Sequence, residues 1–460
     1  MQTTGKGNRS ILLVLALVLL LIPALGMTAQ AESNESTYTL TIPARVNVSN
    51  TGWKLNENNS VVTNTNFTAT EGITASGSLP PKQMLYVTAQ SENGFYLKSR
   101  LNDAIHYALC ATEQDANTVR FWDYPEECQK YEYNFPYLTS EPTTLPMGVV
   151  MESITGDFDR TMVPTGTYSD VVTFMAKVDW RDLKYLTEDY TADDGDVLTG
   201  TLNYPHKVYI PDGATVTLRD MIQEKDAFYI YDCSPINCQG DATLILEGSS
   251  SIHPYTNDYS VIFVPEGKTL TIRGNGSLDI LTNAVAEGAA IGASKNIPCG
   301  NITIEGGTIS VLGHAGIGGG VRGNCGNITI TGGTITANGY SGAAIGGGQY
   351  ATCGDITITG GTITATTIWQ GAAIGSGMAG SCGDITIANT VTKVHAIREL
   401  NETREYTGTP FAPDYPPHLI GKGATDLWES GDEFPASCGT IKIGNQVVQS
   451  MDTNEYIYEP

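Results

Sequence analysis

One pattern is written four times between residues 288 and 388, and it decides the fold. The four copies are GAAIGAS…CGNITIEGGTIS (288–310), AGIGGG…CGNITITGGTIT (315–336), GAAIGGG…CGDITITGGTIT (342–364) and GAAIGSG…CGDITIA (371–388). Their cysteines, Cys299, Cys325, Cys353 and Cys382, follow one another at steps of 26, 28 and 29 residues. A repeat this regular predicts an array in which each copy stacks on the next.

Within each copy, apolar and polar residues alternate with a period of two. In the third copy, the β-branched segments 355–359 and 362–364 are separated by two glycines, which predicts short strands joined by bends. Three such strands make one coil of a right-handed parallel β-helix, with neighbouring coils about 4.8 Å apart. We expect threonines to form outward columns and isoleucines to stack inward on their counterparts one coil away: Ile356, Ile358 and Ile363 on Ile328, Ile330 and Ile335.

Weaker copies extend the array in both directions. The segment VYIPDGATVTL (208–218) recurs as IFVPEGKTLTI (262–272), 54 residues later, which is the length of two coils. After Cys382, a proline-rich excursion (410–417) precedes one worn copy around Cys438. The sequence therefore predicts about seven or eight coils over residues 197–460, with an irregular C-terminal insertion.

The chain before the array has a different composition. Residues 34–180 contain short alternating segments with turn signals, including Asn93-Gly94 between two apolar runs, and these predict a hairpin within an antiparallel β-sandwich. Residues 181–196 form an acidic linker. The first 31 residues combine Lys6 and Arg9 with an apolar run and an A-x-A site ending at Ala31, which predicts a secretory signal peptide rather than a membrane anchor.

The net charge excludes some partners. The full chain carries −24, and removal of Lys6 and Arg9 with the signal peptide takes it to −26. This charge argues against nucleic acid or an anionic membrane surface as partner. We therefore expect a bacterial protein that is secreted or associated with the cell surface, without membrane insertion.

Two parts of the chain resemble known families. The segments TLTIPA (39–44) and PTGTYSDVVTF (164–174) resemble immunoglobulin-like modules of Gram-positive surface proteins, which implies an adhesive or spacer unit. The segments PDGATVTL (211–218), CQGDATLILEG (238–248), VPEGKTLTIRGNGSL (264–278) and the AIGGG…CGDITITGG repeats resemble pectate-lyase-like β-helix modules of gut bacteria. That second resemblance implies the β-helix fold and carbohydrate binding, but it does not establish an activity.

The nine cysteines fall into three groups. Cys110 and Cys128 flank a short polar stretch and are the best disulfide candidate, and Cys233 and Cys238 can close a small loop. The five remaining cysteines hold one repeated position and predict a column of small buried side chains, not a metal site, because metal ligands converge on a point. Among acidic residues, Asp193, Asp194 and Asp196 form a weak calcium candidate, so no cofactor is expected apart from this calcium.

Residues suited to chemistry are few in the repeats. Asp355 and Asp384 are replaced by Asn301 and Asn327 in the other copies, which suits a turn better than catalysis. An aromatic column is predicted instead, because Leu312, Tyr340 and Trp369 each stand three residues before a repeated alanine. Stacked rings with polar neighbours suit sugar binding, and the predicted ligand-binding residues are Tyr340, Trp369, His314, Tyr350 and Gln370.

Three functions remain open from the sequence. Binding of polysaccharide or glycoprotein glycans, as in an adhesin, is favoured by the aromatic column. A passive structural stalk would instead present a uniform threonine and glycine surface. A polysaccharide lyase or glycoside hydrolase would need clustered carboxylates in a groove, and the sequence leans against an enzyme.

Overall fold

The computed structural model describes residues 13–16, 27–32, 37–43, 54–55, 61–62, 72–99, 104–110, 130–151, 168–186, 188–223, 232–282, 286–399, 417–427 and 433–460. The chain divides after Arg181 into two compact units, Met1–Arg181 and Asp182–Pro460. Within the described ranges, no helix has the length and hydropathy needed to cross a bilayer.

The first unit consists of antiparallel sheets. Its strands are β1 (Leu13–Ala16), β2 (Met27–Glu32), β3 (Thr37–Ile42), β4 (Lys54–Leu55), β5 (Val61–Val62), β6 (Gly72–Ser78), β7 (Gln83–Ser91), β8 (Tyr96–Ser99), β9 (Ala104–Cys110), β10 (Lys130–Phe135), β11 (Thr143–Pro146), β12 (Gly148–Met151), β13 (Tyr168–Ser169) and β14 (Val172–Trp180). They form three sheets in the orders β1-β14-β7-β10, β11-β6-β3-β2 and β13-β8-β9-β12-β5-β4. One hydrophobic core takes side chains from all three sheets.

Two sequence expectations for this unit need comment. The predicted hairpin at Asn93-Gly94 is wrong, because β7 pairs with β10 and β14 whereas β8 pairs with β9 and β13. The turn is fastened instead to the buried carboxylate of Asp170, which accepts hydrogen bonds from the backbone and side chain of Asn93. Strand β1 and all of β2 except Glu32 fall inside the predicted signal peptide (1–31), and the two strands pair at sheet edges with β14 and β3.

The second unit is a parallel β-helix. Its elements are a 3₁₀ turn (Leu183–Tyr185) and strands β15 (Tyr190–Thr191), β16 (Val197–Thr201), β17 (Val208–Ile210), β18 (Thr215–Gln223), β19 (Ile236–Cys238), β20 (Ala242–Glu247), β21 (Ser249–Ile252), β22 (Ile262–Phe263), β23 (Thr269–Gly274), β24 (Ser277–Leu281), β25 (Ile291–Gly292), β26 (Asn301–Ile304), β27 (Thr308–Gly313), β28 (Ile317–Gly318), β29 (Ile328–Ile330), β30 (Thr334–Gly339), β31 (Ile345–Gly346), β32 (Thr352–Cys353), β33 (Ile356–Ile358), β34 (Thr362–Thr367), β35 (Ile374–Gly375), β36 (Ser381–Cys382), β37 (Ile385–Ile387), β38 (Lys393–Arg398), β39 (Ile420–Gly421), β40 (Asp426–Leu427), β41 (Glu433–Phe434), β42 (Ser437–Cys438), β43 (Ile441–Ile443), β44 (Gln446–Val448) and β45 (Glu455–Tyr458).

Three parallel sheets run along the stack. The long sheet takes a pair of strands from each central turn, the short sheet takes the strands of two or three residues from β15 to β39, and the cysteine sheet contains β32, β36 and β42. Among the described residues, six turns contribute a complete strand pair to the long sheet: β20–β21, β23–β24, β26–β27, β29–β30, β33–β34 and β37–β38. The prediction of seven or eight coils is therefore slightly high, because the first and last rungs are partial.

The predicted columns are confirmed. The register pairs isoleucines with isoleucines and threonines with threonines across neighbouring turns: Ile328↔Ile356↔Ile385, Thr329↔Thr357↔Thr386 and Ile335↔Ile363. The isoleucines are buried in one core that runs from Leu183 to Ile443. In three central turns (β26–β27, β29–β30 and β33–β34) the strand pair bends at a double glycine, whose second member, Gly307, Gly333 or Gly361, has a φ near +90°, a conformation that favours glycine.

The ends of the stack differ from its middle. The predicted linker (181–196) already contributes to the first rungs, since Leu183 is buried in the core and β15 pairs in parallel with β17. At the C-terminal end, β44 pairs antiparallel with β43, and β45 pairs antiparallel with β38. The chain therefore reverses direction over its last rung.

Candidate functional site

The predicted aromatic column is not in register. Strand pairing places Leu312 opposite Asn338, and Asn338 opposite Thr366, so Leu312 and Tyr340 are not equivalent. The reason is the corner that joins the second strand of the long sheet to the short sheet. This corner lengthens along the stack, from residues 314–316 to 340–344 and then to 368–373. The aromatic residues are therefore carried on loops of different length.

His314 lies inside this corner. Its side chain is buried, and its Nε2 has no hydrogen-bond partner. Burial without a partner disfavours the charged imidazolium and lowers the pKa of His314 to about 4. The His314 carbonyl accepts hydrogen bonds of 3.0 Å from the backbone N–H groups of Tyr340 and Gly342. His314 thus supports the next corner and does not face solvent as a ligand.

The predicted residues on the longer corners are at the surface. Tyr340, Trp369 and Gln370 are all half-buried. The Tyr340 carbonyl accepts a hydrogen bond of 3.1 Å from the Gln370 backbone, so the two loops lie against each other. Ser341 Oγ donates to Gln370 Oε1 at 3.5 Å. Tyr340 and Gln370 therefore share one surface, with Trp369 next to Gln370 in the chain.

Tyr350 joins the same surface from the opposite corner. The Tyr350 backbone N–H donates to the Met378 carbonyl at 2.9 Å, and the Met378 N–H donates to the Ser341 carbonyl at 2.9 Å. Through Ser341 the contacts continue to Gln370. Hydrogen bonds thus link the corners before and after the short sheet through the buried residues Ser341 and Met378. We call the half-buried side chains of Tyr340, Tyr350, Trp369 and Gln370 on these linked corners the polar edge.

Two residues missed by the sequence reasoning complete this edge. The guanidinium of Arg322 lies 5.3 Å from the centre of the Tyr350 ring, and the Tyr350 hydroxyl donates a hydrogen bond to Asp426. These contacts hold the tyrosine ring between a cation and a carboxylate. One sequence signal was available for Arg322, since Arg322 and Tyr350 both stand three residues before a repeated cysteine.

That repeated position has an uncommon backbone. Asn296, Arg322, Tyr350 and Ala379 all have a left-handed φ, between +51° and +57°. Such a conformation favours glycine or asparagine, and a bulky side chain there costs free energy. Arg322 and Tyr350 nevertheless occupy this strained position, although the chain contains 51 glycines at other positions.

The repeated acidic residues have a structural role. Asp355 Oδ1 accepts the backbone N–H of Asp384 at 2.8 Å, and Asp384 Oδ1 accepts that of Thr440 at 2.7 Å. Asn301 and Asn327 do the same in the two preceding turns, at 2.9 Å in both cases. An amide oxygen and a carboxylate oxygen serve equally as acceptors here. These aligned side chains form a hydrogen-bonded ladder between turns, which accounts for the exchange of aspartate and asparagine.

Carboxylate oxygens of the weak calcium candidate also accept hydrogen bonds from other groups of the protein. Asp196 Oδ2 accepts the Tyr190 hydroxyl and the Asp193 backbone N–H, both at 2.8 Å. Asp194 Oδ1 accepts the backbone N–H of Thr215 at 2.8 Å. Throughout the described part of the chain, no group of three or more histidine, cysteine or acidic residues is arranged to hold a metal ion.

The cysteines fall where the repeat predicts. Parallel pairing aligns Cys325 with Cys353, Cys353 with Cys382, and Cys382 with Cys438. These cysteines are thiols, as are Cys233 and Cys238, which do not form the small loop considered above. Cys128 lies outside the described residues, so its pairing with Cys110 stays a prediction.

Comparison with known proteins supports the repeat and goes no further. A family model described as a beta helix repeat matches residues 328–349 and 356–378. Each segment begins at the first long-sheet strand of a turn, β29 or β33, and ends three residues after the following short-sheet strand, β31 or β35. No curated protein and no solved structure matches the chain.

Proposed function

We propose that this is a secreted or surface-associated bacterial protein that binds glycans through the polar edge of its β-helix. The observation that supports the proposal is the chain of hydrogen bonds that links the corners carrying Tyr340, Tyr350 and Gln370 through Ser341 and Met378. Sugars present both apolar faces and hydroxyl groups, so a site of aromatic rings beside amide and hydroxyl groups suits them.

The arrangement of the carboxylates favours binding over cleavage. A glycosidase needs two carboxyl groups that flank the scissile bond, and a lyase needs a base to remove a proton. The repeated Asp355 and Asp384 each accept a hydrogen bond from a backbone N–H of the next turn, so these carboxylates have a structural role. The resemblance to pectate-lyase-like modules therefore supports carbohydrate recognition more than catalysis.

A stalk is the second candidate function, and one observation favours it. The outward faces of the central turns carry columns of threonine, such as Thr303, Thr329, Thr357 and Thr386. A surface this uniform has few features for recognition away from the polar edge. The antiparallel sheets of the first unit, with their resemblance to immunoglobulin-like modules, suit a spacer in either case.

Glycan retention by matched variants tests the proposal. The full chain would be applied to arrays of plant, mucin and microbial polysaccharides, together with Trp369→Ala, Tyr340→Ala and the control Tyr209→Ala. Tyr209 is a half-buried tyrosine on β17, far along the stack from the polar edge. We expect the first two variants to lose about fivefold in affinity, since a lost ring contact is worth about 1 kcal/mol. Equal retention by all four proteins would refute the site, and retention by none would favour the stalk.

Export is tested separately. The N-terminal sequence of protein recovered from the culture medium or cell surface of a bacterial host should begin at Glu32. A protein that stays inside the cell with Met1 in place would contradict the proposed location.

A further inference from the structure

The cysteines of the column differ in their exposure to solvent. Cys299, Cys325, Cys353 and Cys382 are between 1% and 7% exposed, whereas Cys438 at the last rung is half-buried. Successive members lie about one rung apart, roughly 4.8 Å. That spacing falls within the Cα separations that disulfides span, about 4.4–6.8 Å. Each thiol is therefore near a possible covalent partner.

The interior thiols are held away from reaction. A disulfide needs Cβ atoms about 3.5–4.5 Å apart, so two cysteines in a regular parallel ladder must approach each other before they can bond. Cys353 lies between two other cysteines of the column, because it pairs in parallel with Cys325 on one side and with Cys382 on the other. Burial also raises the pKa of the Cys299 and Cys325 thiols, which suppresses the reactive thiolate.

Cys438 differs in position and surroundings. Its strand, β42, is the C-terminal edge of the cysteine sheet and pairs only with β36 on that sheet. Hydrogen bonds from the Cys382 thiol and the Ser450 hydroxyl, together with the nearby ammonium of Lys422, lower the pKa of Cys438 to about 7. The same hydrogen bond raises the pKa of Cys382. The pair thus contains one nucleophile and one neighbouring thiol in register with it.

We propose that Cys438 is a thiol-modification site at which an external disulfide is reduced and Cys382 closes the bond. The Cys438 thiolate attacks one sulfur of the external disulfide, forming a mixed disulfide and releasing a thiolate. Cys382 then loses its proton to solvent and attacks the Cys438 sulfur, which releases the second external thiolate. The two protein thiols are oxidised to one disulfide, and the external disulfide is reduced to two thiols.

This bond would fasten the last rung of the β-helix. It links β36 to β42 across the long insertion that contains residues 400–416. A covalent link that closes a long loop restricts the unfolded chain, so the oxidised form should be the more stable one. The edge position of β42 gives the strand the freedom to make the approach that the interior rungs lack.

The first test needs no variant. The reduced full chain would be treated with limiting iodoacetamide at pH 7, and the modified cysteines mapped by peptide mass spectrometry. Cys233 is the internal reference, because it is also half-buried but burial raises its pKa to about 11. We expect Cys438 to react at least about tenfold faster than Cys233, given its larger thiolate fraction. Equal rates at the two cysteines would overturn the proposal.

The second test uses oxidised glutathione as the external disulfide. The full chain should pass through one glutathione adduct on Cys438 and end with the loss of two hydrogen atoms. Cys382→Ser should stop at the adduct, Cys438→Ser should stay unmodified at this site, and the control Cys233→Ser should behave as the parent chain. An adduct that persists on the parent chain, or a disulfide in Cys382→Ser that joins Cys438 to another cysteine, would refute the role of Cys382.

Discussion

The carboxylate of Asp355 fills the space that a side chain at position 383 would need, and Gly383 leaves that space free. A Cβ built on Gly383 would lie 2.1 Å from Asp355 Oδ1, the same atom that accepts the Asp384 backbone N–H. An alanine at position 383 must therefore push the carboxylate aside and break the hydrogen bond between turns. In the Cys-Gly-Asx pattern of the repeat, the glycine of one turn therefore makes room for the Asx side chain of the preceding turn.

The expected free energies follow from this geometry. Asp355→Ala removes a hydrogen bond at an exposed site, which costs about 1 kcal/mol. Gly383→Ala alone should cost about 1–2 kcal/mol, because the lost bond and the contact outweigh the roughly 0.5 kcal/mol gained from a stiffer unfolded chain. In the Asp355→Ala background the competing oxygen is gone, so the cost of Gly383→Ala should fall to about zero. The predicted coupling is about 1 kcal/mol or more.

Urea unfolding of the four full-length proteins measures the coupling. The control cycle pairs Asp355→Ala with Gly240→Ala, since a Cβ on Gly240 meets Asp212 Oδ1, several turns away from Asp355. That control cycle should be additive within about 0.5 kcal/mol. Additive costs for Asp355→Ala and Gly383→Ala as well would refute the assignment of the glycine to the carboxylate ladder.

Three further predictions address the core, the buried imidazole and the first unit. Ile358→Ala removes a fully buried side chain of the stack and should cost about 2–5 kcal/mol in urea unfolding, so a loss below about 1 kcal/mol would contradict the core. Because the unfolded state binds a proton at His314 near pH 6.5 and the folded state only near pH 4, the chain should lose up to about 3 kcal/mol as pH falls between these values. His314→Gln should flatten that part of the stability profile relative to the parent chain, and an unchanged slope would show that the imidazole is not buried. Tyr107→Phe removes the hydroxyl that donates to buried Asp170 at 2.8 Å and should destabilise the first unit by about 1–3 kcal/mol in thermal unfolding, with no shift in the β-helix transition.

The stack was predictable because the sequence pattern that produces it is short and recurs in every copy. Alternation with a period of two assigns Ile356 and Ile358 to the core, and the constant spacing sets their register against Ile328 and Ile330. A one-residue slip would turn every isoleucine outward, so the pattern allows a single alignment. The number of complete turns was harder to predict, since the worn copies at the ends keep the alternation but supply only partial rungs.

The polar edge was only partly predictable. Tyr340, Tyr350 and Gln370 were identified by residue type, but the proposed column failed because the corners differ in length, and insertions shift register without changing the strands. The contact between the two corners depends on the backbone bond from Met378 to Ser341, which leaves no pattern in the sequence. The hairpin at Asn93-Gly94 failed for a similar reason, because the distant Asp170 controls that turn.

The reversal of the chain over the last rung has a consequence for assembly. A parallel stack that ended on a bare rung would offer its backbone N–H and C=O groups to the first rung of another molecule, and such exposed edges favour growth into fibrils. Strands β44 and β45 run antiparallel to the strands beneath them and pair with that surface. Deletion of residues 445–460 should therefore turn a discrete molecule into one that elongates end to end.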